Sequence, residues 1–294
     1  MGKINGIYAA SMSIINNDLT LDVTKTIQHA EMIIDQGCHG AAIFGSTGQA
    51  QLISITEKIK LFNQLSTSKY KDKYIIGTGL NSLSETINLM SVARSLNFKK
   101  FLIMPPAFYK YDDDNVINFY TKIIEAHPEC EIVLYNFEKL CGYKFSVECV
   151  QELVKRFPEQ IVGVKDSSYN LFENLEIDNF SILPGSESKL LKGLELGCTG
   201  IITATCNVTS ALARKVYDDF LEKKEQTVNQ KLCDVRNIFE KYNLISGLHA
   251  YYSKNDDIYK NILPPLSILN SKEEKELIDN LEKLNFSTKT AMVA

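Results

Sequence analysis

The sequence predicts an α/β protein, a (β/α)8 TIM barrel followed by a C-terminal helical extension. Three observations predict it. Eight short apolar runs alternate with longer helical stretches from near the start to about residue 205. Each run is continuous rather than alternating, which suits strands buried on both faces of a parallel sheet. A length of 294 residues matches one barrel of about 250 residues with a short addition.

The strand runs are GIYAAS (6–11), GAAIFG (40–45), YIIGTG (74–79), KFLIMP (100–105), EIVLYN (131–136), IVGVKD (161–166), FSILPG (180–185) and GIITAT (200–205). Between them lie helical segments. Over 22–36, Val23, Ile27, Ala30, Ile33 and Ile34 share one face, and Gly37 ends the helix. Ser54 and Glu57 form a capping box. Asp112 to Asp114 place carboxylates at the positive end of the next helix. Ser146 and Val147 begin another. An open doubly wound sheet rarely repeats eight such units. After residue 206 no strand signal returns, and 209–224, 228–245, 258–268 and 271–284 read as helices. The expected organisation is a barrel over 1–206, with its last helix and further helices packed on it over 207–294, as a single domain.

A net charge of −4 without a basic face argues against nucleic acid and anionic membrane surfaces as partners. No apolar run reaches the roughly 18 residues of a membrane span. The start, MGKINGIYAASMSII, reads as neither a signal peptide nor a myristoylation site. Seven cysteines at irregular spacing point to a reducing, cytoplasmic setting. No CxxC pair and no closely spaced histidines occur, so no metal is expected.

Active sites of such barrels lie at the C-terminal strand ends. Four groups stand there: Ser46 and Thr47, Tyr135, Lys165, and the run Gly185-Ser186-Glu187. Lys165 ends a buried strand. Desolvation disfavours a charged ammonium, and a neutral amine can attack a ketone to form an imine. A strand-end lysine can equally pair with a carboxylate, here Asp166, and taken alone Lys165 reads that way. Tyr135 on the adjacent strand offers a phenol for proton transfer, or a core tyrosine. Gly45 to Gly48 form a turn rich in amides and hydroxyls, suited to a carboxylate, or to a plain strand-to-helix connection. The run 184–187 also reads as a simple helix start.

Taken together, GSTG at 45–48, MPPAFYK at 104–110, YN at 135–136, GVKDSS at 163–168, PGSE at 184–187 and GIITATCNV at 200–208 resemble the dihydrodipicolinate synthase / N-acetylneuraminate lyase family of class I aldolases. The resemblance spans nearly the whole chain. It implies that Lys165 forms a Schiff base with pyruvate, that Tyr135 transfers protons and that Ser46 relays them. It also implies that Ser46 and Thr47 bind the pyruvate carboxylate, and that Gly185, Ser186 and Glu187 line the aldehyde side. No cofactor is implied, and the oligomer implied is a homotetramer.

Among the departures from the family pattern, three bear most on the site. Gln49 stands where the family usually has Glu. Leu140 stands where dihydrodipicolinate synthases carry an arginine that clamps an acidic substrate. Phe108, followed by Tyr109, stands where a neighbouring subunit's tyrosine enters the proton relay, and either of the two can take that place. The leading expectation is therefore a lyase that makes or cleaves a C–C bond between pyruvate and an aldehyde of a 2-keto-3-deoxy sugar acid, with Glu187 and Thr203 meeting the aldehyde's hydroxyls. Lys110, Lys139 and Lys144 leave phosphorylated substrates open. The alternatives are a dihydrodipicolinate synthase with an altered clamp and a catalytically silent ligand-binding barrel.

Overall fold

The computed structural model describes residues 3–288. Its strands are β1 (Gly6–Ala10), β2 (Gly40–Ile43), β3 (Tyr74–Gly77), β4 (Lys100–Ile103), β5 (Glu131–Asn136), β6 (Ile161–Asp166), β7 (Ser181–Pro184) and β8 (Gly200–Thr203). All paired neighbours are parallel, in the order β7-β6-β5-β4-β3-β2-β1-β8. At the seam between β7 and β8 the Thr199 N–H donates to the Ile182 carbonyl at 3.1 Å, so the barrel is nearly closed.

Why the strands carry apolar residues at every position is visible in the core. Side chains alternate between the two faces of a strand. Ile7, Ala9, Ala41, Ile43, Ile76, Leu134 and Val164 face the surrounding helices. Tyr8, Ala10, Ala42, Ile75, Leu102, Val133, Tyr135 and Leu183 pack together as a second cluster inside the barrel. Both faces are predominantly apolar.

The outer helices are α1 (Val23–Asp35), α2 (Ile55–Leu65), α3 (Leu83–Ser95), α4 (Asp113–Ala126), the single turn α5 (Glu138–Cys141), α6 (Val147–Arg156), α7 (Leu190–Glu195) and α8 (Cys206–Leu221). Their starts follow the caps read from sequence. Ser54 and Glu57 bond reciprocally at the head of α2, and Asp112 and Ser146 cap α4 and α6. Gly37 ends α1 with φ +127°, a conformation that a Cβ would strain. The connection from β6 to β7 departs from expectation. Residues 167–180 contain no α-helix, because the Asp166 carboxylate gathers the amides of Tyr169, Leu171 and Phe172 into a loop.

The tail differs from its prediction in two places. The stretch 228–245 divides into α9 (Asn229–Phe239) and α10 (Leu244–Ser253). Asn243 breaks it by capping the amides of Ile245 and Ser246. Helix α10 is buried almost all round, so its sequence, LISGLHAYYS, shows no amphipathic stripe to read. The stretch 258–268 is a short 3-10 turn at Asp257–Lys260 followed by irregular chain, since Pro264 and Pro265 lack amide donors. Helix α11 (Ser271–Lys283) forms as expected. The end of the predicted extension, 289–294, lies outside the described residues. No helix among the described residues is long and apolar enough to cross a membrane.

Candidate active site

Strand register decides which side chains meet. Tyr135 on β5 stands beside Lys165 on β6, and Lys165 beside Leu183 on β7. Register neighbours share a face, so all three point into the barrel. Lys165 is 3% exposed, and its Nζ lies 4.2 Å from the centre of the Tyr135 ring. Among the described residues Lys165 has no acceptor and no carboxylate partner.

Pairing with Asp166, the alternative open to the sequence, does not occur. Asp166 points to the opposite face and is saturated there. One oxygen accepts from Asn136 Nδ2 at 2.8 Å and Tyr169 N at 2.9 Å. The other accepts from Leu171 N at 2.9 Å and Phe172 N at 3.0 Å. Burial pushes this carboxyl above its usual range, and these four donors pull it back toward the anion. The Asn136–Asp166 pair therefore holds β5, β6 and the following loop together behind the lysine. Asp166→Asn replaces one acceptor oxygen by a donor amide and leaves two buried N–H groups facing it. The expected cost is about 2–4 kcal/mol of unfolding free energy. Urea denaturation measures it, and an unchanged midpoint would contradict the account of this frame.

The turn after β2 supplies the other wall. Ser46 Oγ lies 2.9 Å from the Tyr135 hydroxyl. Among the described residues the amides of Ser46 and Thr47 find no intramolecular acceptor, which leaves two N–H donors for a bound anion. Gln49, in left-handed conformation at φ +53°, ties this turn to the C-terminal region. Its Oε1 accepts from Leu263 N at 2.8 Å, and its Nε2 approaches His249 Nε2 at 3.4 Å. His249 Nδ1 in turn donates to the Tyr259 carbonyl at 2.8 Å. Burial lowers the His249 pKa to about 4, which keeps the ring neutral and able to accept from the amide. Gln49 thus makes structural bonds behind the turn.

Ser46, Thr47, Tyr135 and Lys165 line one cavity of about 780 Å³, within the range of about 300–1,000 Å³ usual for small-molecule sites. Gly185 lines it as well. A Cβ there would stand 2.3 Å from Ser167 Oγ, so the close approach of these two loops needs glycine. A second cavity of about 530 Å³ adjoins it, sharing Ser46, Tyr135 and Leu140, and is largely apolar.

Other expected residues are placed differently. Glu187 is fully buried. Its oxygens accept from Thr203 Oγ1 at 2.8 Å, Thr209 Oγ1 at 3.1 Å and Arg236 Nη1 at 3.2 Å. Thr203 Oγ1 also accepts from Arg236 Nη1 at 2.9 Å. Neither Glu187 nor Thr203 is therefore free to meet an aldehyde, and they form the layer behind the cavity wall. Ser186 is buried with them and bonds Ser188 Oγ at 3.0 Å. Tyr109 is 73% exposed and Phe108 90%. They project from the protein, and Tyr109 does not line its own chain's cavity.

The residues that reach the cavity in place of Glu187 and Thr203 are Arg236 on α9 and Glu240 just after its end, with Asn243 beyond. Sequence reasoning missed them. They sit on a helix where an i,i+4 Arg–Glu pair reads as a solvated surface pair. Buried Arg236 is instead an ion-pair centre, donating from Nε to Glu240 at 2.7 Å. Desolvation works against its charge, yet Glu187 and Glu240 hold its pKa above the ordinary arginine value.

The model of the dihydrodipicolinate synthetase family matches residues 3–284. A 4-hydroxy-tetrahydrodipicolinate synthase of Listeria monocytogenes is 31% identical over 214 residues, 70% of this chain and 72% of the relative. A 2-dehydro-3-deoxy-D-gluconate/2-dehydro-3-deoxy-phosphogluconate aldolase of Picrophilus torridus is 25% identical over 230 residues, 76% of this chain and 85% of the relative. The fold is also that of YagE, a prophage protein of the dihydrodipicolinic acid synthase family from E. coli K12 solved in complex with pyruvate. The TM-score is 0.83 at 21% identity, over 96% of this chain and 99% of YagE. An eight-stranded parallel barrel, the site motifs converging at its strand ends and a family match over nearly the whole length lead to one conclusion: this chain belongs to the dihydrodipicolinate synthetase family and is an enzyme of its lyase and aldolase class.

Proposed function

We propose that the protein is a pyruvate-dependent class I aldolase acting through a Lys165 Schiff base, most suited to cleaving or making a 2-keto-3-deoxy sugar acid. The observation that carries the reading is the unpaired Lys165 amine above the Tyr135 ring, with the Tyr135 hydroxyl bonded to Ser46. In the cleavage direction the Lys165 nitrogen attacks the 2-keto carbon, and the carbonyl oxygen leaves as water. Tyr135 accepts the proton of the C4 hydroxyl, with Ser46 as relay. The C3–C4 bond breaks, its electrons pass into the protonated imine, and the aldehyde departs. Protonation at C3 and hydrolysis then release pyruvate and restore the amine. The free amides of Ser46 and Thr47 seat the pyruvate carboxylate. The imine is the electron sink, so the reading calls on no metal or diffusible cofactor.

Leu140 supports the choice of substrate. It stands at the rim of both cavities, where a neutral side chain cannot clamp a second carboxylate. Lys144 pairs with Glu138 at 3.5 Å and does not line the cavity, and Lys139, which does, is exposed. The Picrophilus aldolase is named for cleavage of this substrate type. A second reading, dihydrodipicolinate synthesis, is favoured by the more similar Listeria synthase. Loss of a charge-assisted clamp weakens binding by about 1.5–3 kcal/mol, roughly ten- to a hundredfold. We therefore expect kcat/KM for cleaving 2-keto-3-deoxy sugar acids to exceed that for condensing pyruvate with aspartate semialdehyde. Both are measured on one preparation, and the reverse ranking would restore the synthase reading. A homo-oligomer, a tetramer by resemblance, accompanies this function. The exposed aromatic side chains of Phe108 and Tyr109, next in sequence to Ala107 on the apolar cavity, support it. The seven free cysteines accord with a cytoplasmic setting.

A further inference from the structure

We infer that Arg236 and Glu240 form the wall that reads the far end of the substrate, and that they select an uncharged, hydroxylated tail over a phosphorylated one. This rests on the aldolase reading above and goes beyond it to the tail's chemistry. Arg236 is 4% exposed, yet it lines the same cavity as Lys165. Its Nη1 is committed to Glu187, Thr203 and Thr205, and its Nε to Glu240. Among the described residues Nη2 has no acceptor, so a buried guanidinium keeps one donor edge for whatever fills the cavity. Glu240 binds Arg236 through Oε1 only, and its side chain is half-exposed on the same wall. Among the described residues its second oxygen meets no donor, which leaves it a free acceptor.

Charge decides what such a wall accepts. A single guanidinium faces two carboxylates, Glu187 and Glu240, at 3.2 and 2.7 Å. The cluster carries one excess negative charge, its buried part at Glu187 and its exposed part at Glu240, where the cavity opens to solvent. A phosphate dianion entering here would meet repulsion that Arg236 is already used to offset. A donor edge next to a free carboxylate oxygen instead matches neighbouring hydroxyls, each of which both donates and accepts. The other basic residues on the cavity are Lys165, which the proposed imine uses, and Lys139, which is exposed.

The test compares kcat/KM for a six-carbon 2-keto-3-deoxy sugar acid with that for its terminally phosphorylated form, in wild type and Glu240→Gln. Circular dichroism confirms that the variant is folded. The wild type is expected to favour the unphosphorylated acid at least tenfold, and Glu240→Gln to narrow that preference several-fold by removing one carboxylate. Equal or better use of the phosphorylated acid, or a ratio unmoved by Glu240→Gln, would overturn the inference. Borohydride trapping with pyruvate alone, on the same preparation, separates the two levels. If an adduct forms and the ratios fail, only this inference falls. If no adduct forms, the aldolase reading falls and takes this inference with it.

Discussion

Lys165→Met is expected to reduce turnover by at least about three orders of magnitude while leaving the unfolding midpoint equal or higher. The first effect follows from chemistry, because methionine cannot form an imine and no step of the proposed cycle proceeds without it. The second follows from burial. Lys165 is nearly inaccessible and has no ion-pair partner among the described residues, and a buried unpaired amine costs free energy that an apolar chain of similar length does not. Activity lost and stability kept or gained is the pattern of a residue retained for function. Steady-state assays and thermal melts of the same two proteins check it. A variant that loses stability along with activity would mark Lys165 as a structural residue.

Tyr135→Phe separates proton transfer from imine formation. The ring, packed among Val133, Leu183 and the other interior residues, is kept. The hydroxyl that meets Ser46 at 2.9 Å is lost. General acid–base catalysis contributes about two to four orders of magnitude, so kcat is expected to fall by that amount with the fold intact. Ser46 keeps its hydroxyl but has no phenol to relay to. Near-normal turnover would reduce Tyr135 to a packing residue.

Much of this architecture was legible from the sequence. The eight strands fall inside the apolar runs, because strands buried on both faces need apolar residues at every position. Caps such as Ser54 with Glu57 were readable because their bonds are local. What was not legible depends on tertiary contact. Helix α10 has no stripe to read because nearly every side of it is covered. The helix missing between β6 and β7 gives way to a loop whose amides one buried carboxylate collects. Ser46, Thr47, Tyr135 and Lys165 could be singled out because strand ends converge in a barrel, and the structure brings them round one cavity. Glu187 and Thr203 were expected at the aldehyde and lie one layer behind it. Only the position of α9 shows that Arg236 reaches across to them, and nothing in its local sequence distinguishes it from a surface arginine.

Everything proposed rests on one covalent bond, so the most direct measurement is to look for it. The protein is incubated with pyruvate and sodium borohydride, digested and mapped by mass spectrometry. The account predicts a single reduced pyruvate adduct, on the peptide containing Lys165. An adduct on a different lysine, or no adduct at all, would contradict it.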